Sequence, residues 1–326
     1  MHMADGLVSP AVAGVMYAAS AAVCLYSAKK VKNDDKKIPL MGIMGAFVFA
    51  VQMLNFTIPG TGSSGHLCGG LLLSAILGPY AGFLTMVSIL VIQCLLFADG
   101  GLLALGCNIW NMAFYGCFIG YIFIYKPIMK TGMSKGKIIL ASLLSSVISL
   151  QLGAFSVVTE TLLSGVTELP FSIFAGLMQP IHLAIGIGEG LITAAVLIFI
   201  SEARPKLLDF EVNADNKLSY KKVLVILSVC VVLFAGVVSL FASSNPDGLE
   251  WSVGNVTGSE EIERDGNAYR TSDDIQSKTA VLPDYSLPDS ESAAGTSLSG
   301  IVGCLVVAAI SAGGMLIIQK INKKKA

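Results

Sequence analysis

The chain has 326 residues, 54% of them apolar and 13% charged, with a formal net charge of −1. The apolar residues fall in runs of about 20, the length a helix needs to cross a bilayer. One soluble core does not hide that many, and the near-neutral balance offers no basic field for nucleic acid, so no nucleic-acid partner is expected.

In chain order, apolar runs between charge clusters predict nine helices near 9–28, 38–56, 67–78, 80–97, 102–125, 138–159, 171–200, 222–242 and 299–319. Barrel strands would alternate polar and apolar residues, which Lys222-Val223-Leu224-Val225-Ile226-Leu227 does not do. The reading is an all-α integral membrane protein. Lys29, Lys30, Lys32, Lys36, Lys37, Lys126 to Lys137, Arg204 to Lys222 and Lys320 to Lys325 fall in alternate connections, which are therefore expected to be cytoplasmic. Asp99, Glu160 and Glu168 fall in the opposite ones. Nine spans then put the amino terminus outside the cell membrane and the carboxyl terminus in the cytoplasm. The amino end lacks a basic region and a small-residue cleavage site, so the mature chain is expected to begin at Met1.

The spans divide into a seven-helix bundle over 1–200, a charged cytoplasmic linker over 201–221 and a two-span module over 222–326. That module brackets a polar, acidic extracytoplasmic loop, 243–298, whose Pro246, Pro283 and Pro288 and few apolar runs predict a solvated, partly disordered segment. The seven cysteines show no paired spacing, so neither a disulfide framework nor a Cys-rich metal site is expected.

The first residues carry chemistry. A free terminal amine followed by histidine offers the Met1 amine, the deprotonated His2 amide and the His2 ring Nδ1 to one ion. Such small, nearly coplanar rings suit Ni(II) or Cu(II) better than tetrahedral Zn(II). His66, in Gly60-Thr61-Gly62-Ser63-Ser64-Gly65-His66, is the candidate for the remaining planar position. The loop leads into a span too short for a full crossing, and such broken helices mark binding sites in transporters. Taken singly, each histidine reads as a frayed or surface residue; the setting changes the weighing.

The same loop matches G-x-G-x-x-G, but it follows an apolar helix rather than a strand, and His66 stands where a phosphate-loop lysine belongs. Its glycines instead suit close passage of the inserted amino terminus. Further on, Gln93, Asn108 and Asn111 are candidates either to orient His66 and the terminus or simply to join helices. His182 and Glu189, seven apart on one helical face, read as a structural hydrogen-bonded pair rather than a second metal site, since no third ligand follows at helical spacing. Gly42, Ala46 and Ala50 form a small-residue stripe suited to a partner helix or to internal packing.

Met1-His2-Met3-Ala4-Asp5-Gly6-Leu7-Val8-Ser9-Pro10, Gly62-Ser63-Ser64-Gly65-His66-Leu67-Cys68-Gly69-Gly70 and Asp99-Gly100-Gly101-Leu102-Leu103-Ala104-Leu105-Gly106-Cys107-Asn108-Ile109-Trp110-Asn111-Met112 together resemble the substrate-capture (S) components of nickel and cobalt energy-coupling factor (ECF) transporters, the NikM/CbiM family. The likeness covers about 1–200. Asn245-Pro246-Asp247-Gly248-Leu249-Glu250 resembles the opening of the PDGLE domain, the small NikN/CbiN-like component, covering about 221–326. The resemblance implies a fusion of the two, with metal ligands at Met1, His2 and His66. It also implies separate partners, a transmembrane coupling protein and cytoplasmic ATPase subunits, with ATP hydrolysis left to those subunits. The loop departs from the Gly-Thr-Ser-Gly-His form of nickel proteins by an extra Gly-Ser. Nickel(II) uptake is the favoured expectation, with cobalt(II) uptake for cobalamin synthesis as the alternative. An intramembrane zinc metalloenzyme using His2, His66 and His182 stands behind both, because no H-E-x-x-H pair or general base accompanies His66.

Overall fold

A computed structural model describes residues 1–31, 34–209, 215–260, 262–287 and 292–325; Lys32 and Pro288 lie outside them. Helix α1 (Pro10–Lys30) starts where the Ser9 side chain accepts the Val12 amide and Pro10 occupies the first helical position. It is followed by α2 (Lys37–Gln52), a hairpin of β1 (Phe56–Ile58) and β2 (Ser63–Gly65), then α3 (Gly70–Leu77), α4 (Pro79–Phe97), α5 (Leu105–Lys130), α6 (Lys135–Ser164) and α7 (Phe171–Ala203). The second module adds α8 (Tyr220–Gly236), α9 (Gly248–Thr257), α10 (Asn267–Thr279) and α11 (Ala293–Lys325).

The nine expected spans are not nine long helices. Among the described residues six helices, α1, α4, α5, α6, α7 and α11, are long and apolar enough to cross a membrane. Helices α2 and α8 have 16 and 17 residues, and the predicted span at 67–78 is an eight-residue helix, α3. Glycines at positive φ bound α3 on both sides, Gly69 at 82° and Gly78 at 86°. At 1.5 Å per residue α3 rises only about 12 Å. The non-helical stretch from His66 to Gly69 supplies the rest, because the far end of α3 reaches the opposite end of the bundle, where Lys37 Nζ donates to the Leu77 carbonyl at 2.8 Å.

The two ends differ in charge. Lys37, Lys126 and Asp209 meet at one end, where Gln319 also donates to the Asp34 carbonyl. Met1, His66, Asp99 and Asp247 meet at the other.

The small-residue stripe on α2 is covered from within the chain. Helix α11 lies so close that a Cβ on Gly42 would sit 3.0 Å from the Ala308 carbonyl oxygen, and Cys304 Sγ lies 3.5 Å from the Ala46 carbonyl. The stripe is thus the seam between the modules. The acidic segment departs from the expected disorder as well. Its described residues fold into α9 and α10, which lie over the Met1 end of the bundle. The amphipathic cue was short: α9 is opened by a capping box in which Asp247 accepts the Glu250 amide and Glu250 accepts the Asp247 amide.

Candidate metal-capture site

The hairpin delivers His66. The turn between β1 and β2 contains Gly60 and Gly62, both at positive φ, and Phe56 pairs with Gly65. A Cβ on Gly65 would lie 2.4 Å from Ile185 Cγ1, so only glycine lets the strand settle against α7. Just past His66, Glu189 of α7 accepts the Cys68 amide at 2.7 Å and the Gly69 amide at 3.1 Å. Those bonds satisfy main-chain donors that the break before α3 leaves without helical partners. His66 is buried; its Nδ1 faces the Leu67 carbonyl at 3.0 Å, leaving Nε2 directed at the second module.

The amino terminus enters beside it. Asn108 of α5 holds the Met3 peptide at both polar groups, accepting from the amide at 2.7 Å and donating to the carbonyl at 3.1 Å. Gly101 N–H donates to the same carbonyl at 2.9 Å. The Met1 side chain is anchored against α6, where a Cβ on Gly153 would meet Met1 Cε at 2.9 Å. Met1 is 4% exposed, an unusual state for a chain end. The His2 ring stacks on the His66 ring, with centroids 5.2 Å apart and planes 19° from parallel. Its Nδ1 lies 2.5 Å from Asp99 Oδ1, while its Nε2 is buried with no hydrogen-bond partner.

Two carboxylates therefore hold the nitrogens that the sequence reading assigns to a cation. Asp247 of the Pro-Asp-Gly turn accepts from the Met1 amine, and the same oxygen is 3.9 Å from His66 Nε2. Burial pushes the amine down, but Asp247 outweighs it and leaves it above its usual 8.0. Burial raises Asp247, yet the amine and His66 hold it well below the ordinary carboxylate range. Burial and the neighbouring amine take His66 down to about 4, so its ring is neutral at pH 7 and Nε2 has a free lone pair in the tautomer that donates from Nδ1. Asp99 goes the other way: burial raises it, but His2 and the Tyr285 hydroxyl bring it to about 2. Glu250, raised by burial and by Asp247 to about 7, is the softest of the nearby acids.

His2, His66, Asp99, Asp247 and Glu250 border a cavity of about 860 Å³ whose walls include nine carboxylate residues against Arg264 and Arg270. Among the described residues no three His, Cys, Asp or Glu side chains converge at metal-holding distances.

Of the six residues singled out from sequence, Met1, His2 and His66 come together. Asn108 and Asn111 both touch the inserted segment. Asn111 lies 3.6 Å from Met3 Sδ and donates to Glu160 at 2.7 Å. Gln93 sits one step away, donating to Gln52 at 3.0 Å and to the Tyr285 hydroxyl at 3.3 Å. His182 and Glu189 do not pair with each other: His182 Nδ1 faces the Met178 carbonyl at 2.8 Å, and Glu189 is turned to the loop amides. Sharing a face across two turns places side chains in a row without bringing them into contact. His182 does border a small space shared with Met1, His66 and Asp247.

Sequence reading missed Asp99, Asp247 and Tyr285, whose hydroxyl donates to Asp99 Oδ2 at 2.5 Å. The signal for Asp247 was present, since a Pro-Asp-Gly turn before an acidic N3 residue is a helix start. Nothing local tied it to residue 1. Tyr285 follows Asp284 in a pair of positive-φ non-glycine residues, 48° and 56°, a conformation that the stack of its ring on Phe97 at 4.6 Å and its bond to Asp99 hold in place.

A model of the family described as cobalt uptake substrate-specific transmembrane region matches residues 2–207, and a PDGLE domain model matches 221–320. A putative fused nickel transport protein NikMN from Archaeoglobus fulgidus is 37% identical over 310 residues, spanning 95% of this chain and 96% of that protein. A cobalt transport protein CbiM from Sorangium cellulosum is 31% identical, over 56% of this chain and 80% of its own length. A crystal structure described as a truncated transition metal transporter superposes with a TM-score of 0.55 at 34% identity, covering 62% of this chain and 99% of its own.

Proposed function

Because the chain belongs to the cobalt uptake substrate-specific transmembrane family, fused to a PDGLE domain, we propose that it captures nickel(II) outside the cell as the substrate-binding component of an ECF transporter. The observation that carries the nickel reading is the convergence of a buried terminal amine, the following histidine and His66 in one space. The Met1 amine, the His2 amide, His2 Nδ1 and a His66 ring nitrogen make an all-nitrogen set, which favours a d⁸ ion in a plane. In this reading the ion is cargo, and it trades places with the two carboxylates. The Met1 ammonium and the His2 amide each give up a proton to water, Met1 leaves Asp247 and the His2 ring leaves Asp99, and the freed nitrogen lone pairs take the ion. Cobalt(II) is the second reading, supported by the family's own description and by relatives named for cobalt transport.

The seven helices through α7 bind the ion, and the PDGLE module, with α8 and α11 on α2, brings Asp247 and Tyr285 to the site. The loop around His66 lacks the lysine of a phosphate loop, so ATP hydrolysis is assigned to separate cytoplasmic subunits acting through a transmembrane coupling protein. The basic end of the bundle is assigned to the cytoplasm and the site end to the outside.

Nickel and cobalt binding to the purified chain with a free terminus, beside a version with one extra residue before Met1, tests the ligand set. One nickel per chain with a planar, diamagnetic d–d spectrum, lost on extension, is the expected result. Equal binding by the extended chain would sink the terminal chelate.

A further inference from the structure

Chain ends fray, and ligands carried on a frayed end must be ordered when the ion arrives, at a cost to affinity. Here the ordering is done in advance, and much of it comes from one face of α10. Tyr269, Ser272 and Gln276 are spaced three and four apart and so form one stripe. The Tyr269 hydroxyl donates to the Val8 carbonyl at 3.0 Å. The Ser272 hydroxyl donates to Asp5 and accepts the Leu103 amide at 3.2 Å. Gln276 accepts the Leu102 amide at 3.2 Å and donates to the Gly100 carbonyl at 2.9 Å.

Both strips of chain that α10 grips belong to the site. One is the inserted terminus that begins with Met1 and His2. The other is the loop from Asp99, the carboxylate on His2, to Ala104, whose amide Asp5 accepts at 2.9 Å. The fit is tight from a second direction. A Cβ on Gly6 would lie 1.7 Å from the Ile262 carbonyl oxygen, and one on Gly101 would lie 1.8 Å from Asp5 Oδ1. The glycines at 6 and 101 thus admit the second module's backbone and the Asp5 side chain.

We infer that the Tyr269–Ser272–Gln276 face of α10 is a clasp of positioning residues that holds the amino-terminal segment inserted, so that the second module raises metal affinity without itself providing a ligand. This rests on the reading that Met1 and His2 bind the ion. The clasp acts on the lifetime of the inserted terminus; opening it lets the two ligands leave together.

The test uses the full chain with Ser272→Ala and Gln276→Ala combined. In the metal-free protein, amide hydrogen exchange at residues 3–8 should quicken. Nickel should bind roughly 10- to 100-fold more weakly, the range seen when groups that hold metal ligands are removed, through faster release and with the same planar spectrum. Ser272→Thr, which keeps the hydroxyl, should restore slow exchange to the Asp5 end. If the double variant does not fold, Tyr269→Phe removes a single hydroxyl and gives the same readout at Val8. Unchanged exchange, or faster exchange with unchanged nickel release, overturns the clasp. His2→Ala serves as the control. If it retains nickel, the ligand set fails, while the exchange measurement still judges whether α10 holds the terminus.

Discussion

Asp247 reaches from the turn before α9 to the terminal amine of Met1, 246 residues earlier in the chain, and the same oxygen stands 3.9 Å from His66 Nε2. The amine is thereby kept charged in the metal-free protein. A cation that binds the amine must displace its proton, and one that binds the His2 amide must displace another. His66 adds none, being neutral above about 4. Nickel affinity should therefore rise with pH, log K climbing by about two per unit from pH 6 to the amine's raised value, and then less steeply. Nickel titrations at stepped pH measure the slope; a slope near zero would mean that neither nitrogen is a ligand.

Replacing Asp247 with asparagine removes the main attraction that raises the Met1 amine and leaves burial, which lowers it, opposed only by the smaller effects of Cys68 and Glu250. The amine then gives up its proton more readily. The pH at which nickel binding is half-complete should fall by about one unit or more in Asp247→Asn, since an ion pair to a buried charge shifts a pKa by that order. A midpoint that stays put or rises would show that the amine is not the group competing with the metal.

Asn108 stands in for a peptide partner to Met3, satisfying its amide and its carbonyl inside the bundle. In Asn108→Ala the Met3 amide loses its partner, and a buried unpaired group costs about 1–3 kcal/mol. The Met3 carbonyl retains the Gly101 amide, so the loss is on the lower side of two full groups. A lower thermal midpoint and weaker nickel binding are expected together. Asn108→Asp keeps the acceptor and should recover part of the stability; no difference between the two variants would remove Asn108 from the account of the terminus.

Much of this was readable from sequence because the relevant signals are local. Apolar runs gave the long helices, the alternating lysines gave the two ends, and Met1-His2 with His66 gave the candidate ligands. The failures all involve contacts between distant segments. α3 was expected to be too short for a full crossing and is; what its apolar run did not report is that Leu71, Leu72 and Leu73 are buried in the protein. Gly42 and Ala46 suited a partner helix or internal packing alike, and only the structure shows that α11 of the same chain fills the place. The acidic loop looked unstructured because α10 has few apolar residues. It is held by hydrogen bonds to main chain more than 160 residues away, which composition does not report.

The seam between the modules should be sensitive to single methyl groups. A Cβ on Gly303 would meet Phe49 Cζ at 2.3 Å, and neither an aromatic ring nor the buried backbone of α2 has room to yield. With the chain divided between residues 209 and 215 and the two pieces made together, the parent pieces should purify as a complex, whereas Gly303→Val should separate them. Persistence of the complex would mean that α8 and the contacts around Met1 suffice without α11.

The cavity bordering the site predicts how the ion arrives. Nine acidic residues, among them Glu260, Glu263, Asp265 and Asp273 on the outer wall, face two arginines. A concave wall of one sign concentrates counter-ions and speeds their encounter, and the effect fades as salt shortens the screening length to about 8 Å at physiological ionic strength. The outer acids are exposed whereas Met1, the His2 side chain and His66 are buried, so the acids govern approach rather than retention. Glu260→Lys combined with Glu263→Lys should slow nickel association several-fold at low salt and leave dissociation nearly unchanged, with the difference from the parent vanishing in about 1 M salt. Stopped-flow association at several salt concentrations reads both. A change confined to dissociation would mean that these acids belong to the bound state, and association that is insensitive to salt in the parent would mean that the ion reaches Met1 and His2 by another route.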